Sequence, residues 1–370
     1  MPTPTGRLLV VFLRGAADHL SMTVPLDDPD YLDARPNIAI ASADALDLDG
    51  RFGFHPAMPR LHERYRAGLL APIIAVGNPA ADRSHFVSQS LLERGSDGGN
   101  DSNNLGDGWL ARHLNSRQSA DDHPMRGITV GSNVDASLIG CGALGIGSLR
   151  SFGLSGANGV TDALVEALSQ THTDLHAVEA YAEQAIAAAR AVAELPASNE
   201  RNRTVAAFDD IATLFDADLG TQVITTNIDG WDTHTRMGNS QEGEMRDMLG
   251  GLDDLVGGIA DRFDASGIDD VTTVVVTEFG RRVNENGSGG CDHGWGSAAL
   301  AMGRAVRGGT VHGDWMGLTP DVVADSRGDI PMTTDYRDLL GDALEHALGG
   351  DPRVAFPDHV PTATGVFRAT

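Results

Sequence analysis

The stretch Arg7-Leu-Leu-Val-Val-Phe-Leu-Arg-Gly15 decides the fold class. Its apolar run is short and unbroken, with none of the polar alternation of a half-exposed strand, and Arg-Gly closes it. That pattern predicts a strand buried on both faces, as in a parallel sheet covered by helices. Asp18 then lies just past the strand's carboxyl end, where α/β proteins gather their functional groups. Working outward, Leu69 to Val76 predicts a second strand, followed by the turn Gly77-Asn-Pro79 and a helix over Ser84 to Glu93. Thr221 to Ile228 predicts a strand leading into Gly230-Trp-Asp232, and Val271 to Val276 another that delivers Thr277-Glu-Phe-Gly280. Between these two strands, Glu244 to Phe263 carries apolar residues at helical spacing. The Ala-rich segment Val178 to Leu195 and the segment Arg203 to Phe215 predict a helical hairpin. Residues 96–108 and Asn284 to Gly290 are polar and Gly-rich and predict loops. The sum is an α/β fold with a mostly parallel central sheet flanked by helices.

With 370 residues, 41% of them hydrophobic, the chain can bury a large core as one big domain or two smaller ones. The formal net charge is -25, from 52 acidic side chains against 27 basic ones, and none of the basic groups is lysine. A surface of that sign repels a polyanion, so nucleic acid is excluded as a partner. Cys141 and Cys291 are too few for a disulfide framework and resemble no Cys-based zinc site, although a single bridge stays open. The longest apolar runs are strand-sized, well short of the roughly 20 residues of a membrane span. No signal peptide is expected after Met1, since the first strand follows almost at once. That implies a cytoplasmic protein or a sequence that begins after a removed leader.

The candidate chemistry sits at the predicted strand ends. Asp232-Thr-His234 puts two metal-ligating side chains on one side of an extended or turning backbone, a spacing that suits joint capture of a divalent ion. The alternative is an Asp that orders its turn beside a solvated His. Asp292-His293 follows a Gly-rich loop that lets backbone approach a ligand closely, while Asp292 could equally hydrogen-bond that loop. Glu278 ends a strand in a place where a carboxylate needs a metal or a salt bridge, the latter from Arg281 or Arg282. Ser84 opens a predicted helix, either as an N-cap or as a nucleophile activated by a nearby metal with helix amides behind it. His85 beside it either binds substrate or packs. Trp231 and Trp295 adjoin these residues and are read as pocket walls, His55 as a turn residue, and Asp335 with Arg337 as a local pair.

Read together, Arg14-Gly-Ala-Ala-Asp18, Phe54-His-Pro-Ala57, Arg83-Ser-His-Phe86, Gly108-Trp-Leu110, Trp231-Asp-Thr-His234, Thr277-Glu-Phe-Gly-Arg281, Asn286-Gly-Ser-Gly-Gly290 with Asp292-His-Gly294, Gly313-Asp-Trp315 and Thr334-Asp-Tyr-Arg337 resemble the landmarks of the bacterial domain-of-unknown-function 1501 family. That family is similar to the alkaline phosphatase and sulfatase superfamily. The resemblance implies an alkaline phosphatase-like sheet with a metal site at the strand ends. It further implies Asp18, Ser84 and Glu278 in one metal half, and Asp232, His234 and His293 in the other. Where phosphatases of that superfamily carry Asp-His, this chain has Glu278-Phe279, so one nitrogen ligand is missing and Asp292 or His19 is the candidate substitute. Asp82-Arg-Ser-His85 is not the sulfatase motif that becomes formylglycine.

These readings predict one α/β domain over residues 1–370, with a partly helical insertion at about 135–215. The expected function is metal-dependent hydrolysis or transfer at a phosphate or sulfate ester of a small molecule or glycan. Ser84 and His85 are the expected catalytic residues, and Asp18, Asp232, His234, Glu278, Asp292 and His293 the expected ligands of one or two divalent ions, zinc first, then manganese, magnesium or calcium. A metal-stabilised binding or assembly protein that has lost turnover is the competing reading, and Phe279 favours it. Family members often carry a twin-arginine leader, which implies a periplasmic or secreted protein. Nothing in the sequence sets the oligomeric state.

Overall fold

The computed structural model describes residues 6–99, 106–117, 125–152, 186–217 and 219–368. Its strands are β1 (Arg7–Leu13), β2 (Thr23–Pro25), β3 (Leu46–Asp47), β4 (Phe52–Phe54), β5 (Leu70–Gly77), β6 (Gly127–Val130), β7 (Leu144–Ile146), β8 (Val223–Ile228), β9 (Val271–Thr277), β10 (Ser297–Met302) and β11 (Thr334–Asp335). Eight of them form the central sheet in the order β11-β5-β10-β9-β1-β8-β6-β7, and β2-β4-β3 form a small antiparallel sheet. Only β10 runs against its two neighbours, and every other pair in the central sheet is parallel. The longer helices are α1 (Pro59–Arg66), α2 (His85–Arg94), α3 (Trp109–Ser116), α4 (Arg203–Asp216), α5 (Glu244–Leu252), α6 (Gly258–Ser266) and α7 (Tyr336–Leu348). The expected mostly parallel sheet flanked by helices is therefore the observed architecture.

β1 shows why the apolar run is continuous. Leu9, Val11 and Leu13 pack into a core with Phe208 and Phe215 of α4, Leu249 of α5 and Phe263 of α6. Leu8, Val10 and Phe12 point the other way, into a core with Leu339, Leu340 and Leu344 of α7 and Trp109 of α3. Each such side chain contributes roughly 1.5–3 kcal/mol when fully buried, so a polar residue at any alternate position would forfeit a layer. The helix predicted over Glu244 to Phe263 is continuous but changes pitch, with a π turn at Asp253–Gly257 between α5 and α6. Buried Asp253 there accepts the amides of Arg60 and Leu61 at 3.1 and 2.8 Å, filling the otherwise uncapped start of α1.

Within 135–215 the described residues include β7, which joins the sheet edge beside β6, a helical stretch at 186–193, and α4. Residues 153–185, which hold part of the predicted Val178 to Leu195 helix, lie outside the described residues, as do 100–105 of the predicted loop. Cys141 and Cys291 are both free thiols. Among the described residues no helix is long and apolar enough to cross a membrane.

Three buried histidines make the fold sensitive to acid. His19, His55 and His113 are 0–1% exposed, and burial lowers each from about 6.5 to about 4. Between those values the unfolded chain binds protons that the folded chain refuses, so stability is lost as pH falls through this window. For His19, whose two ring nitrogens have no hydrogen-bond partner, the loss amounts to roughly 3 kcal/mol. Urea midpoints at pH 7 and pH 5 should differ accordingly, and His19→Leu should shrink the difference; an equal difference in the variant would remove His19 from the account.

Candidate metal centre

Four polar side chains meet beyond the carboxyl ends of β1, β8 and β9. Asp232 and His234 follow β8 through a turning backbone in which His234 N donates to Asp232 O at 3.1 Å, and Thr233 between them is buried. Their side chains do fall together, with Asp232 Oδ1 and His234 Nε2 3.0 Å apart. His293 is delivered by a return of the chain along the extension of β9: Arg281 bridges His293, Arg282 N donates to Asp292 O, and Gly294 N donates to Gly280 O. His85 comes from the first turn of α2.

The donor atoms lie close together around His293. His293 Nε2 lies 3.0 Å from His85 Nε2, 3.0 Å from His234 Nε2 and 3.1 Å from Asp232 Oδ1, and His85 Nε2 is 3.4 Å from Asp232 Oδ1. Donors about 2.0–2.1 Å from a central ion stand roughly 3.3 Å apart at tetrahedral corners. The tautomers point the same way. Each imidazole has an acceptor at its other nitrogen: Glu278 Oε1 at 2.8 Å for His85, the Arg83 carbonyl at 2.8 Å for His293, and Asp292 Oδ1 at 3.4 Å for His234. With the proton fixed on Nδ1, all three Nε2 atoms present lone pairs to one another and to a carboxylate oxygen. Such acceptors suit a cation, and Arg281 already faces two of them, Asp232 Oδ1 at 2.8 Å and His234 Nε2 at 3.4 Å. The group His85, Asp232 and His293, with His234 against it, can thus hold a metal ion.

The surrounding residues set the charge and the shape. Arg281 is fully buried and donates to the Ala16, Trp231 and Cys291 carbonyls and to Asp232 Oδ1 at 2.8 Å. Burial alone would raise the Asp232 carboxyl, but Arg281 and His293 outweigh it and hold it down to about 2. Asp292 is lowered by its hydrogen bond from Asn286. Gly15 is required where it stands: its φ is +118°, and a Cβ there would lie 2.5 Å from Asp232 N. Gly290 is likewise pressed on His234, with a Cβ only 2.2 Å from the His234 carbonyl carbon. The Gly-rich loop is thus fastened to the ligand segment, with Asn286 Nδ2 donating to His234 O at 3.0 Å and Met237 N to Gly289 O at 2.8 Å.

Several sequence expectations change place. Asp18 is not brought to the cluster: both oxygens are held by Arg35, at 2.6 and 2.8 Å, in a fully buried ion pair, and one also accepts Ser21 N. His19 is buried edge-on to Trp315 and is no substitute ligand in this arrangement. Glu278 sits behind His85, with no arginine paired to it among the described residues, and its Oε1 accepts from Gly15 N, Gln89 Nε2 and His85. Asp292 sits behind His234 rather than among the four donors. His85 turns its Nε2 toward His293 Nε2 and Asp232 Oδ1. Ser84 is exposed at the start of α2, and its side chain makes no cap hydrogen bond. Phe279 stacks on His85 at 4.9 Å and lies 5.0 Å from His293, so it walls two imidazoles where a ligand was expected. Trp231 is core and Trp295 donates to Asn78 O, while Arg337 pairs locally with Asp335 and His55 accepts Ala57 N in its turn. The missed role is that of Arg281, which sequence offered only as a partner for Glu278.

A sequence family described as "Protein of unknown function (DUF1501)" matches residues 74–360. No curated protein matches the chain. Among solved structures, the zinc complex of the C-terminal periplasmic domain of EcEptC from Escherichia coli is 10% identical, with 96% of this chain and 88% of that one aligned at a TM-score of 0.44. The lipoteichoic acid synthase LtaP from Listeria monocytogenes is 9% identical over 80% of this chain and 65% of its own, at 0.37. The PsFucS1 sulfatase from Pseudoalteromonas sp. is 11% identical over 98% and 73%, at 0.36.

Proposed function

The chain belongs to the DUF1501 family, and from the convergence of His85, Asp232, His234 and His293 we propose that it is a metal-dependent hydrolase or transferase of phosphate or sulfate esters. The single observation that carries this reading is the set of three inward Nε2 lone pairs beside one carboxylate oxygen. A donor set rich in imidazole favours zinc over magnesium or calcium, which prefer oxygen. One ion fits better than two, because Asp18 is committed to Arg35 and the guanidinium of Arg281 already supplies the positive charge on the Asp232 side.

A divalent ion held there would polarise an ester oxygen and lower the pKa of a neighbouring hydroxyl. The chain's own residues supply the rest. Glu278, Asp292 and the Arg83 carbonyl accept at Nδ1 of the three imidazoles and so aim the Nε2 atoms inward. Ser84 offers an exposed hydroxyl next to the donor set, and the start of α2, which no side chain caps, offers amides to the anionic oxygens of a phosphoryl or sulfuryl group. Attack by Ser84 Oγ would form the new ester bond as the bond to the leaving alcohol breaks, the serine proton passing to that alcohol.

A metal-stabilised binding protein is the second reading, and one observation favours it: four protein donors lie close enough to be shared by one ion, and four protein ligands are the closed pattern of structural sites. The exposure of Asp232 and His234, 48% and 39%, keeps one side of the cluster open to a substrate. Ser84→Ala separates the two. In the enzyme it should leave metal content and melting temperature unchanged and cut turnover of aryl phosphate or sulfate esters by at least about 10²-fold. His234→Ala should lower both metal content and turnover. Ester turnover untouched by Ser84→Ala would rule out the serine, and metal-bound protein with no ester turnover would leave the structural reading.

A further inference from the structure

A cavity of about 410 Å³ opens beside the cluster at the carboxyl ends of β1, β6 and β8. Its wall includes Arg14, Glu93, Ser132, Asp135, Asn227 and Asp229. Two hydrogen bonds connect it to the donor set: Arg14 Nη1 donates to Gln89 Oε1 at 3.1 Å, and Gln89 Nε2 donates to Glu278 Oε1 at 2.9 Å, the oxygen that holds His85.

The charge in this cavity is unbalanced. Among the described residues of its wall Arg14 is the one cation, and it is already engaged with Asn227 Oδ1 at 2.7 Å, Glu93 Oε1 at 3.0 Å and Asp135 Oδ1 at 3.3 Å. Glu93 and Asp135 are 7% and 8% exposed, and each has one oxygen secured, Glu93 Oε1 also by Ala136 N and Asp135 Oδ1 also by Asn227 Nδ2. Their other oxygens, Oε2 and Oδ2, make no hydrogen bond among the described residues, and neither does the exposed carboxylate of Asp229. Burial raises the Glu93 carboxyl even with Arg14 against it, and Asp135 adds to the rise. Such a wall repels anions and leaves a neutral hydroxyl with the charge excess unanswered. A compact cation with several donors answers both the charge and the free acceptors.

We propose that this cavity is the subsite for a primary ammonium group on the substrate whose ester reaches the metal-holding cluster. Its role in turnover rests on the ester reading above, but its recognition of an amine is measurable without turnover. Titration of the full, metal-loaded chain with propylamine should give saturable binding that weakens with added salt, and propanol over the same range should give none. Asp229→Asn, at the exposed rim, should weaken propylamine about tenfold while leaving metal content unchanged, and Glu93→Gln should act in the same direction. Equal binding of propanol and propylamine would overturn the subsite, as would amine binding indifferent to both substitutions. Ester turnover without amine recognition removes the subsite alone, and amine recognition without ester turnover removes the ester reading alone.

Discussion

His293→Ala should strip the bound ion from the protein. His293 Nε2 is the one donor within 3.1 Å of all three others, so its loss opens the set at its centre and does not merely thin its edge. Loss of an outer partner such as a carboxylate behind a metal-bound histidine costs about 10–100-fold in affinity, and a lost donor should cost more than that. Elemental analysis of protein purified without chelator is expected to fall from about one ion per chain to near zero. The melting temperature measured with and without chelator should converge in the variant, because an ion that no longer binds cannot stabilise the fold. Full metal content in His293→Ala would show that the convergence of imidazoles is not a binding site.

Arg35→Met is expected to be the most destabilising single change. Arg35 and Asp18 are both 0% exposed, their guanidinium and carboxylate meet in two hydrogen bonds, and Arg35 also holds the Val283 and Arg282 carbonyls at 2.8 and 2.9 Å. Removing it leaves a carboxylate in the interior with no countercharge and only the Ser21 amide against it, a loss of roughly 3–5 kcal/mol. Burial by itself would raise the Asp18 carboxyl, yet Arg35 lowers it below its ordinary 3.8. The pair's contribution is therefore present above about pH 4 and disappears as pH falls through the lower folded value. Urea denaturation at neutral pH measures the loss, and adding Asp18→Leu to Arg35→Met should recover part of it. A loss below about 1 kcal/mol would mean that the pair is solvated, and a drop in metal affinity without a drop in stability would return Asp18 to the ligand set.

The fold was legible where burial demands uninterrupted apolar sequence. β1 matches its predicted span and is apolar between Leu8 and Leu13, while β8 and β9 start or end within two residues of theirs, their interruptions being mostly threonines that suit a strand. β10, Ser297–Met302, gave no such signal: its small Ala residues have weak strand preference, and antiparallel pairing with β5 and β9 fixes it. α7 also passed unread, although it covers one face of the sheet. In the site, Asp232 and His234 were legible because two-residue spacing alone puts them together. Asp18 and Glu278 were misplaced for a common reason. A carboxylate at a strand end announces a need for a partner, but not which one, and Arg35 and His85 come from outside the strands that carry those carboxylates. His85 was read for its neighbour Ser84, and only the fold shows the imidazole turning inward.

The position of β1 shapes how the molecule can be made. It precedes every other described strand in the chain, yet it lies in the middle of the sheet with β8 on one edge and β9 on the other. At about 5–20 residues per second, the chain between Leu13 and Val223 takes roughly 10–40 s to synthesise. Throughout that interval one of the most apolar segments has neither hydrogen-bonding neighbour, a standing hazard of association with other chains and a reason for chaperone protection. His293 emerges later still, so the metal-holding group cannot close until β8, β9 and the segment that carries His293 have all been made.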